Sequence, residues 1–334
     1  MPVRPSDSSQ RPSYFLISVS TRENLELCIK YGLAGFPGGE SGAWTFCEIQ
    51  VGDFVSFLYG ARAHNLYRVG NRQAISNAER YPPWKLLTFK QTGKTYSFPF
   101  RLQLELVRTF NESLVRAEFA YVAENLLLRG GYGRTHFQAD QTTLQSASEM
   151  GNLADAELEH LAMPEFSLFE ARFSRSKRLI KTPEVCRFKE PILQSAIRRH
   201  LMSQTNLANL SNGLNLGGAK TDELEVLGEI AIPDGHIDLL LKKRVPLGSG
   251  IKIPIEVKTK TAQPKDVSQL RRYMDELRGE CPAGILIAGD FNRRTLARAK
   301  DENVRLVRYS LLADLMKAPT FDEIYEGLQL EALV

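Results

Sequence analysis

The chain has 334 residues, 43% hydrophobic and 25% charged, the balance of an ordinary globular protein long enough for about two domains. No apolar run approaches the ~20 residues needed to cross a bilayer, and no basic start leads into one, so a membrane protein is excluded and a cytoplasmic location is expected. A net charge of +4 makes composition alone a weak case for nucleic acid, and that case has to come from where the charges sit. Cys28, Cys47, Cys186 and Cys281 lie far apart with no CxxC pair, which argues against a zinc ribbon or a disulfide framework.

In chain order, residues 1–12 form a Pro- and Ser-rich tail expected to be disordered. YFLISVS reads as a strand and runs into a helix start, with Ser20 and Glu23 spaced as a capping box. Leu25, Cys28 and Ile29 follow at helical spacing, and Gly32 suits the C-cap. FPGGESGAW reads as a glycine-rich loop carrying Trp44. VGDFVSFLYG is a Gly-Asp turn leading into a strand that ends near Tyr59, and SFPFRLQLELV alternates as another. This half, residues 13–160, is expected to be a small mixed β-barrel with helices at its rim.

Residues 161–183 read as a basic linker. ARFSRSKRLIK within it holds Arg172, Arg175, Lys177, Arg178 and Lys181 and no acid. Two readings stand side by side: a solvated linker, or a strap whose Arg172, Arg175, Lys177 and Arg178 contact DNA phosphates, since neutralising phosphates releases counterions.

The second domain, residues 184–334, starts with KEPILQSAIRRHLM, whose Ile192, Ala196, Ile197 and Leu201 make an apolar helical stripe. After the polar loop SNGLNLGGAK come three strand patterns, LEVLGEIAI, HIDLLLKK and IKIPIEVKTK. An amphipathic helix (DVSQLRRYMDELRG), a strand (ILIAG), a helix (RRTLARAKDE) and a strand (VRLVRYS) complete it. That order implies an α/β domain with a mixed sheet flanked by helices.

In IPIEVKTK, Ile253, Ile255 and Val257 alternate as a half-buried strand, which puts Pro254, Glu256 and Lys258 together on the other face. Asp238 lies eighteen residues before Glu256 on the preceding strand pattern. If those strands are neighbours, two carboxylates and a lysine converge. Two carboxylates plus waters and phosphate oxygens suit Mg²⁺. A lysine beside the metal can orient or help deprotonate a water and offset charge developing on phosphate. The bland alternative is a surface salt bridge on an edge strand, which Pro254 would favour.

The spacing D-x₁₇-E-x-K resembles the PD-(D/E)xK nuclease superfamily. Gln269 and Tyr273 match the QxxxY signature of its RecB-like branch, and GHIDLLLKK…IPIEVKTK…VSQLRRYMDEL…GILIAGDF looks like the nuclease domain of archaeal NucS-type enzymes over about residues 184–310. The resemblance implies a metal set of Asp238, Glu256 and Val257 holding Mg²⁺, with Mn²⁺ as a substitute. It also implies that Lys258 positions water, that Gln269 supports the site, and that Glu190 is an additional catalytic acid. Glu229 competes for the last role, and Asp234 of the literal Pro233–Asp234 pair competes with Asp238, although Asp234–Gly235 reads as a turn. His236 reads as a local hydrogen-bond partner.

YFLISVSTRENLELC, GLAGF, VGDFVSFLYG and NLYRVG resemble the EVE domain of the PUA-like barrels, kin of the YTH readers, over about residues 13–125. That implies a domain accepting a flipped, often methylated base. Trp44, Tyr59 and Phe36 are the pocket candidates, with Trp84 behind them, and core packing is the alternative for each. The combination implies a modification-dependent restriction endonuclease acting on double-stranded DNA as a homodimer. The alternatives are a sequence-specific restriction enzyme, a structure-specific repair nuclease and a non-cutting reader of modified DNA or RNA.

Overall fold

The computed structural model describes residues 11–60, 62–88, 93–111, 135–154, 157–232, 235–244 and 250–333. The chain forms two compact units, one of residues up to Ala139 with Thr143–Arg187, the other of Asp140–Thr142 with Phe188–Val334. No described helix is long and apolar enough to cross a membrane. All four cysteines are free thiols.

The first unit runs β1 (Tyr14–Ser18), α1 (Arg22–Tyr31), β2 (Leu33–Phe36), α2 (Glu40–Glu48), β3 (Phe54–Tyr59), β4 (Arg62–Ala74), β5 (Leu87–Thr88), β6 (Thr95–Tyr96), β7 (Phe100–Thr109), β8 (His136–Ala139), α3 (Gln141–Ser148), β9 (Asn152–Leu153), β10 (Arg172–Ser174) and β11 (Val185–Arg187). Its main sheet has the order β2-β7-β4-β3-β1-β8, with β9 on β7. Among the described pairings only β1 with β3 is parallel, so the sheet is mixed, as expected. The pairings run as an open path from β2 to β8 among the described residues; the expected closure into a barrel is not among them.

Two local expectations shift. The cap of α1 is Thr21, not Ser20: its backbone is extended and its hydroxyl accepts the Asn24 N–H at 3.1 Å. At the other end Gly32 is left-handed (φ 57°), as a C-cap requires. The glycine-rich stretch is not a loop throughout, because α2 begins at Glu40 and carries Trp44. Gly42 is there for close approach, since a Cβ would stand 1.9 Å from the Pro37 carbonyl oxygen.

The basic stretch belongs to the first unit rather than to a bare linker. Phe173 and Cys186 are both buried and pair across parallel β10 and β11, which anchors the segment while Arg172, Arg175, Lys177 and Arg178 stay exposed.

The second unit holds α4 (Glu190–Leu201), α5 (Gln204–Ser211), β12 (Leu224–Ile232), β13 (Gly235–Lys243), β14 (Lys252–Ala262), α6 (Pro264–Leu277), β15 (Gly284–Phe291), α7 (Arg293–Asp301), β16 (Val304–Leu311), α8 (Phe321–Glu326) and β17 (Leu328–Ala332). The six strands pair in sequence order. β12, β13 and β14 are antiparallel, β14, β15 and β16 are parallel, and β17 returns antiparallel. Val267, Leu270, Met274 and Ala299 of α6 and α7 share a core with Leu240, Leu286, Ala288 and Leu306, which covers one face. The alternate residues Leu239, Leu241, Ile253, Ile255, Val257, Ile285 and Ile287 are equally buried, and α4 packs against β12, β13 and β14.

β14 is therefore an interior strand, buried on both faces, rather than half-buried or at an edge. Pro254 is tolerated because pairing with β15 starts only at Ile255, so its missing N–H breaks no ladder on that side.

Trp84 packs its ring over Gly35 of β2, where a Cβ would lie 2.6 Å from the indole, and the Arg101 guanidinium stands 5.2 Å from the ring centroid. Gly35→Ala should destabilise the first unit by about 1–3 kcal/mol, because a rigid ring cannot yield to the added methyl. Denaturant unfolding followed by tryptophan fluorescence reads this; unchanged stability would mean the indole is free to move.

Candidate nuclease site

Antiparallel pairing of β13 with β14 reaches Leu239↔Ile255, so Asp238 and Glu256 occupy the next step. There the Asp238 carboxylate replaces a ladder bond: its Oδ2 accepts the Val257 N–H at 2.7 Å. Glu256 and Lys258 share a face by strand alternation, and the Lys258 Nζ lies 2.7 Å from Glu256 Oε1. Glu256 is 1% exposed and its Oε2 has no hydrogen-bond partner, an uncommon state for a buried carboxylate oxygen.

The register between β14 and β15 shifts between Lys258 and Thr261, which takes Thr259 out of the ladder. Both of its backbone groups find partners. Glu190, at the first position of α4, accepts the Thr259 N–H through Oε2 at 3.4 Å, and Tyr309 of β16 donates to the Thr259 carbonyl at 2.9 Å. The other oxygen of Glu190 accepts from Lys258 Nζ at 3.3 Å. Glu190 thus joins the cluster. Glu229 falls opposite Asp238 in the β12–β13 register, between the pairs Gly228↔Leu239 and Ile230↔Ile237, with a positive φ of 44°. Pro233 and Asp234 lie outside the described residues.

Burial, and then the charge of Glu256, push the Asp238 carboxyl well above the usual range. Burial likewise pushes Glu256 up to about 7, with Lys258 pulling it down and Glu190 and Asp266 pushing it further up. For Lys258, burial opposes the charge, but Glu256, Asp238 and Glu190 outweigh it and the ammonium is held above its ordinary range. The ion pair is asymmetric: three acids stabilise one cation, which cannot offset the burial of two carboxylates. Lys258 is held as a cation here, suited to orienting a group or offsetting charge rather than to removing a proton.

Gln269 does not touch the carboxylates through a described bond; its Nε2 donates to the Tyr273 hydroxyl at 2.7 Å. Tyr273 is buried against Gly235 and is raised first by burial and also by Glu256 and Asp238, so the Gln-Tyr pair borders the acids. Asp266 caps α6 by accepting the Gln263 N–H at 2.7 Å. Tyr309 and Asp266 carried no sequence signal, since the register shift that gives Tyr309 its role is invisible in a strand pattern.

Among the described residues no three His, Cys, Asp or Glu side chains are gathered into a complete ion cage. What is present, two crowded carboxylates with a buried, unpartnered oxygen, fits a hard divalent cation that keeps water and substrate oxygens in its remaining positions.

In the first unit Trp44 is half-buried, with its ring 4.6 Å edge-on from His136, whose Nδ1 lies 2.9 Å from the Thr45 hydroxyl. Tyr59 is half-buried at the end of β3, whereas Phe36 is 1% exposed in the core. Trp44 and Tyr59 are the two half-buried candidates, whereas Phe36 and Trp84 are buried. Among the phosphate candidates, Arg172 lies 3.6 Å from Glu170.

Residues 224–323, within the second unit, match the model of the family described as the endonuclease NucS C-terminal domain, so this part of the chain is NucS-like. No curated protein matches the chain. Among solved structures, a repair endonuclease from Pyrococcus abyssi is 23% identical over 31% of this chain and 45% of its own, with a TM-score of 0.22. The EndoMS–dsDNA complex is 20% identical over 31% of this chain and 43% of its own, with a TM-score of 0.21. The DNA modification-dependent restriction endonuclease AspBHI is 16% identical over 82% of this chain and 62% of its own, with a TM-score of 0.20. The chain spans less than half the length of the first two.

Without a cation the carboxylates are in conflict, and Glu256→Gln should relieve it. A carboxyl raised to about 7 when folded, from about 4.5 when unfolded, loses stability as pH climbs between those values. In EDTA the variant should therefore gain on the parent from pH 4.5 to 7 and level off above, by on the order of 1–3 kcal/mol. Calorimetric unfolding across that range reads it; a variant less stable at pH 7 would show that Glu256 is well solvated or fully paired.

Proposed function

We propose that this protein is a metal-dependent DNA endonuclease of the modification-dependent restriction type, in which the first unit receives a flipped, methylated base and the second hydrolyses the backbone. The observation that carries the reading is the convergence of Asp238 and Glu256 on adjacent strands with Lys258 and with Glu190 of α4, in a NucS-like sheet, with a buried oxygen of Glu256 left for a cation. A retired nuclease fold would have no reason to keep two mutually repelling buried acids.

Asp238, Glu256 and Val257 would hold Mg²⁺; Mn²⁺ would substitute. Such an ion, once bound, supplies a Lewis acid for the phosphoryl oxygen and acidifies a water. The chain's own residues do the rest. Lys258, fixed by Glu190 and Glu256, presents a positive charge toward the phosphate, where it offsets developing negative charge. Glu190 and Tyr309 hold Thr259, which fixes the strand end that carries Lys258. Gln269 and Tyr273 close the α6 side.

In the first unit, Trp44 and Tyr59 supply the ring surfaces on which an extruded base would stack, offsetting the few kcal/mol that flipping costs. Phosphate contacts by Arg172, Arg175, Lys177 and Arg178 would add sequence-independent affinity. One site per chain cuts one strand, so cleavage of both strands calls for two copies.

The test is incubation of the purified protein with Mg²⁺ and matched plasmids that are unmodified, adenine-methylated or cytosine-methylated, with Asp238→Ala as control. Cutting confined to a methylated plasmid is expected. Discrete cutting of the unmodified plasmid would replace this reading with a sequence-specific enzyme, and binding without any cutting would replace it with a reader. Lys258→Ala should lower cleavage by on the order of 10²–10³-fold while DNA binding persists; a folded variant that loses binding as well would break the division of labour.

A further inference from the structure

The ends of β14 and β15 beyond the acid–lysine cluster carry charge that the mechanism does not use. Lys260 lies in the stretch where the β14–β15 register shifts, two residues past Lys258, and Lys265 is in the first turn of α6. Arg293 and Arg294 open α7. The two helix starts are stitched together: the Asn292 side chain donates to the Gln263 side chain at 3.3 Å, and the Thr295 hydroxyl donates to the Ala262 carbonyl at 3.0 Å. Strand pairing puts Thr261 beside Asp290 and Ala262 beside Phe291, so all four cations sit at one end of the sheet, the end that holds Lys258.

All four are exposed, and none has a carboxylate partner among the described residues. The acids nearest them in the chain are taken. Asp266 is spent on the Gln263 N–H, and Asp290 lies 3.7 Å from Arg308. Further along the same helices, Arg271 is paired with Asp275 and Arg298 with Glu302.

Placement makes the surplus informative. A helix start carries positive dipole charge and favours acids, yet α7 has two arginines and no acid in its first turn. Helix stability would not choose that arrangement; an anion lying across it would. The neighbouring cluster is marked as a ligand site independently, by the buried, unpartnered Glu256 Oε2.

We infer that Lys260, Lys265, Arg293 and Arg294 form a cradle for the backbone phosphates of duplex DNA that flank the scissile bond. The inference rests on the nuclease reading above. The cradle tracks the backbone, contributes affinity without reading sequence, and seats the scissile phosphate over Lys258.

The experiment measures binding of a fluorescent unmodified duplex by the full chain in EDTA, where no cutting occurs, across a series of KCl concentrations. Two double variants, Lys260→Gln with Lys265→Gln and Arg293→Gln with Arg294→Gln, are compared with the parent and with Arg298→Gln. Each double variant should flatten the slope of log K against log salt by about 1.8, at roughly 0.9 per phosphate contact, and Arg298→Gln should leave it unchanged. Thermal unfolding should hold or rise in the Arg293/Arg294 variant, since it removes cations from a helix start. Slopes equal to the parent's in folded variants, with plasmid cutting intact, would overturn the cradle alone. No DNA binding by the parent would overturn the cradle and the nuclease reading together.

Discussion

The second unit is organised around a repulsion: two carboxylates, Asp238 and Glu256, stand at one step of adjacent interior strands with helices over both faces of the sheet. Burying one unpaired acid is costly, and burying two side by side is costlier. The fold partly meets the cost with Lys258, itself tied to Glu190, and with the Val257 N–H, but leaves one oxygen of Glu256 with no partner. Stability does not reward such a gap. A divalent cation would fill it.

The rest of the unit can be understood as holding that arrangement still. The shift in β14–β15 register after Lys258 would strand Thr259, and the two groups that rescue it come from opposite ends of the domain sequence, Glu190 before the sheet and Tyr309 near its last strands. Each bond fixes the strand end carrying the lysine to a separate element, α4 or β16. Such irregularities recur beside active sites because they re-aim a side chain without unravelling the sheet. The buried face of α6 contributes differently, through apolar packing of Val267, Leu270 and Met274, with the Gln269–Tyr273 pair at the border of the acids.

Much of this was legible in the sequence. The period-two pattern of IPIEVKTK put Glu256 and Lys258 on one face, and the preceding strand carried Asp238 to the adjacent position, because antiparallel neighbours joined by a short connection leave little freedom of register. What was not legible is instructive. Alternation cannot distinguish a half-buried strand from one covered on both faces when the second face holds charged residues, so the interior position of β14 is not readable from the pattern. FPGGESGAW read as a loop on glycine content, yet Gly42 serves contact with Pro37 inside a helix start. Ser20 and Thr21 are both good caps, and only the backbone decides between them. The basic stretch looked like a linker because its anchors, Phe173 and Cys186, are two residues among many charges. α8 and β17 are short: LQLEA of β17 alternates cleanly but spans only five residues, too few to stand out in the sequence.

The central claim is that the carboxylates await a divalent cation, and thermal unfolding with and without Mg²⁺ tests it most directly. A ligand that binds only the folded state raises the melting temperature as its concentration rises. The account predicts that Mg²⁺ raises the melting temperature of the parent protein and leaves that of Asp238→Asn unmoved. An equal shift in both, or none in the parent up to millimolar Mg²⁺, would contradict it.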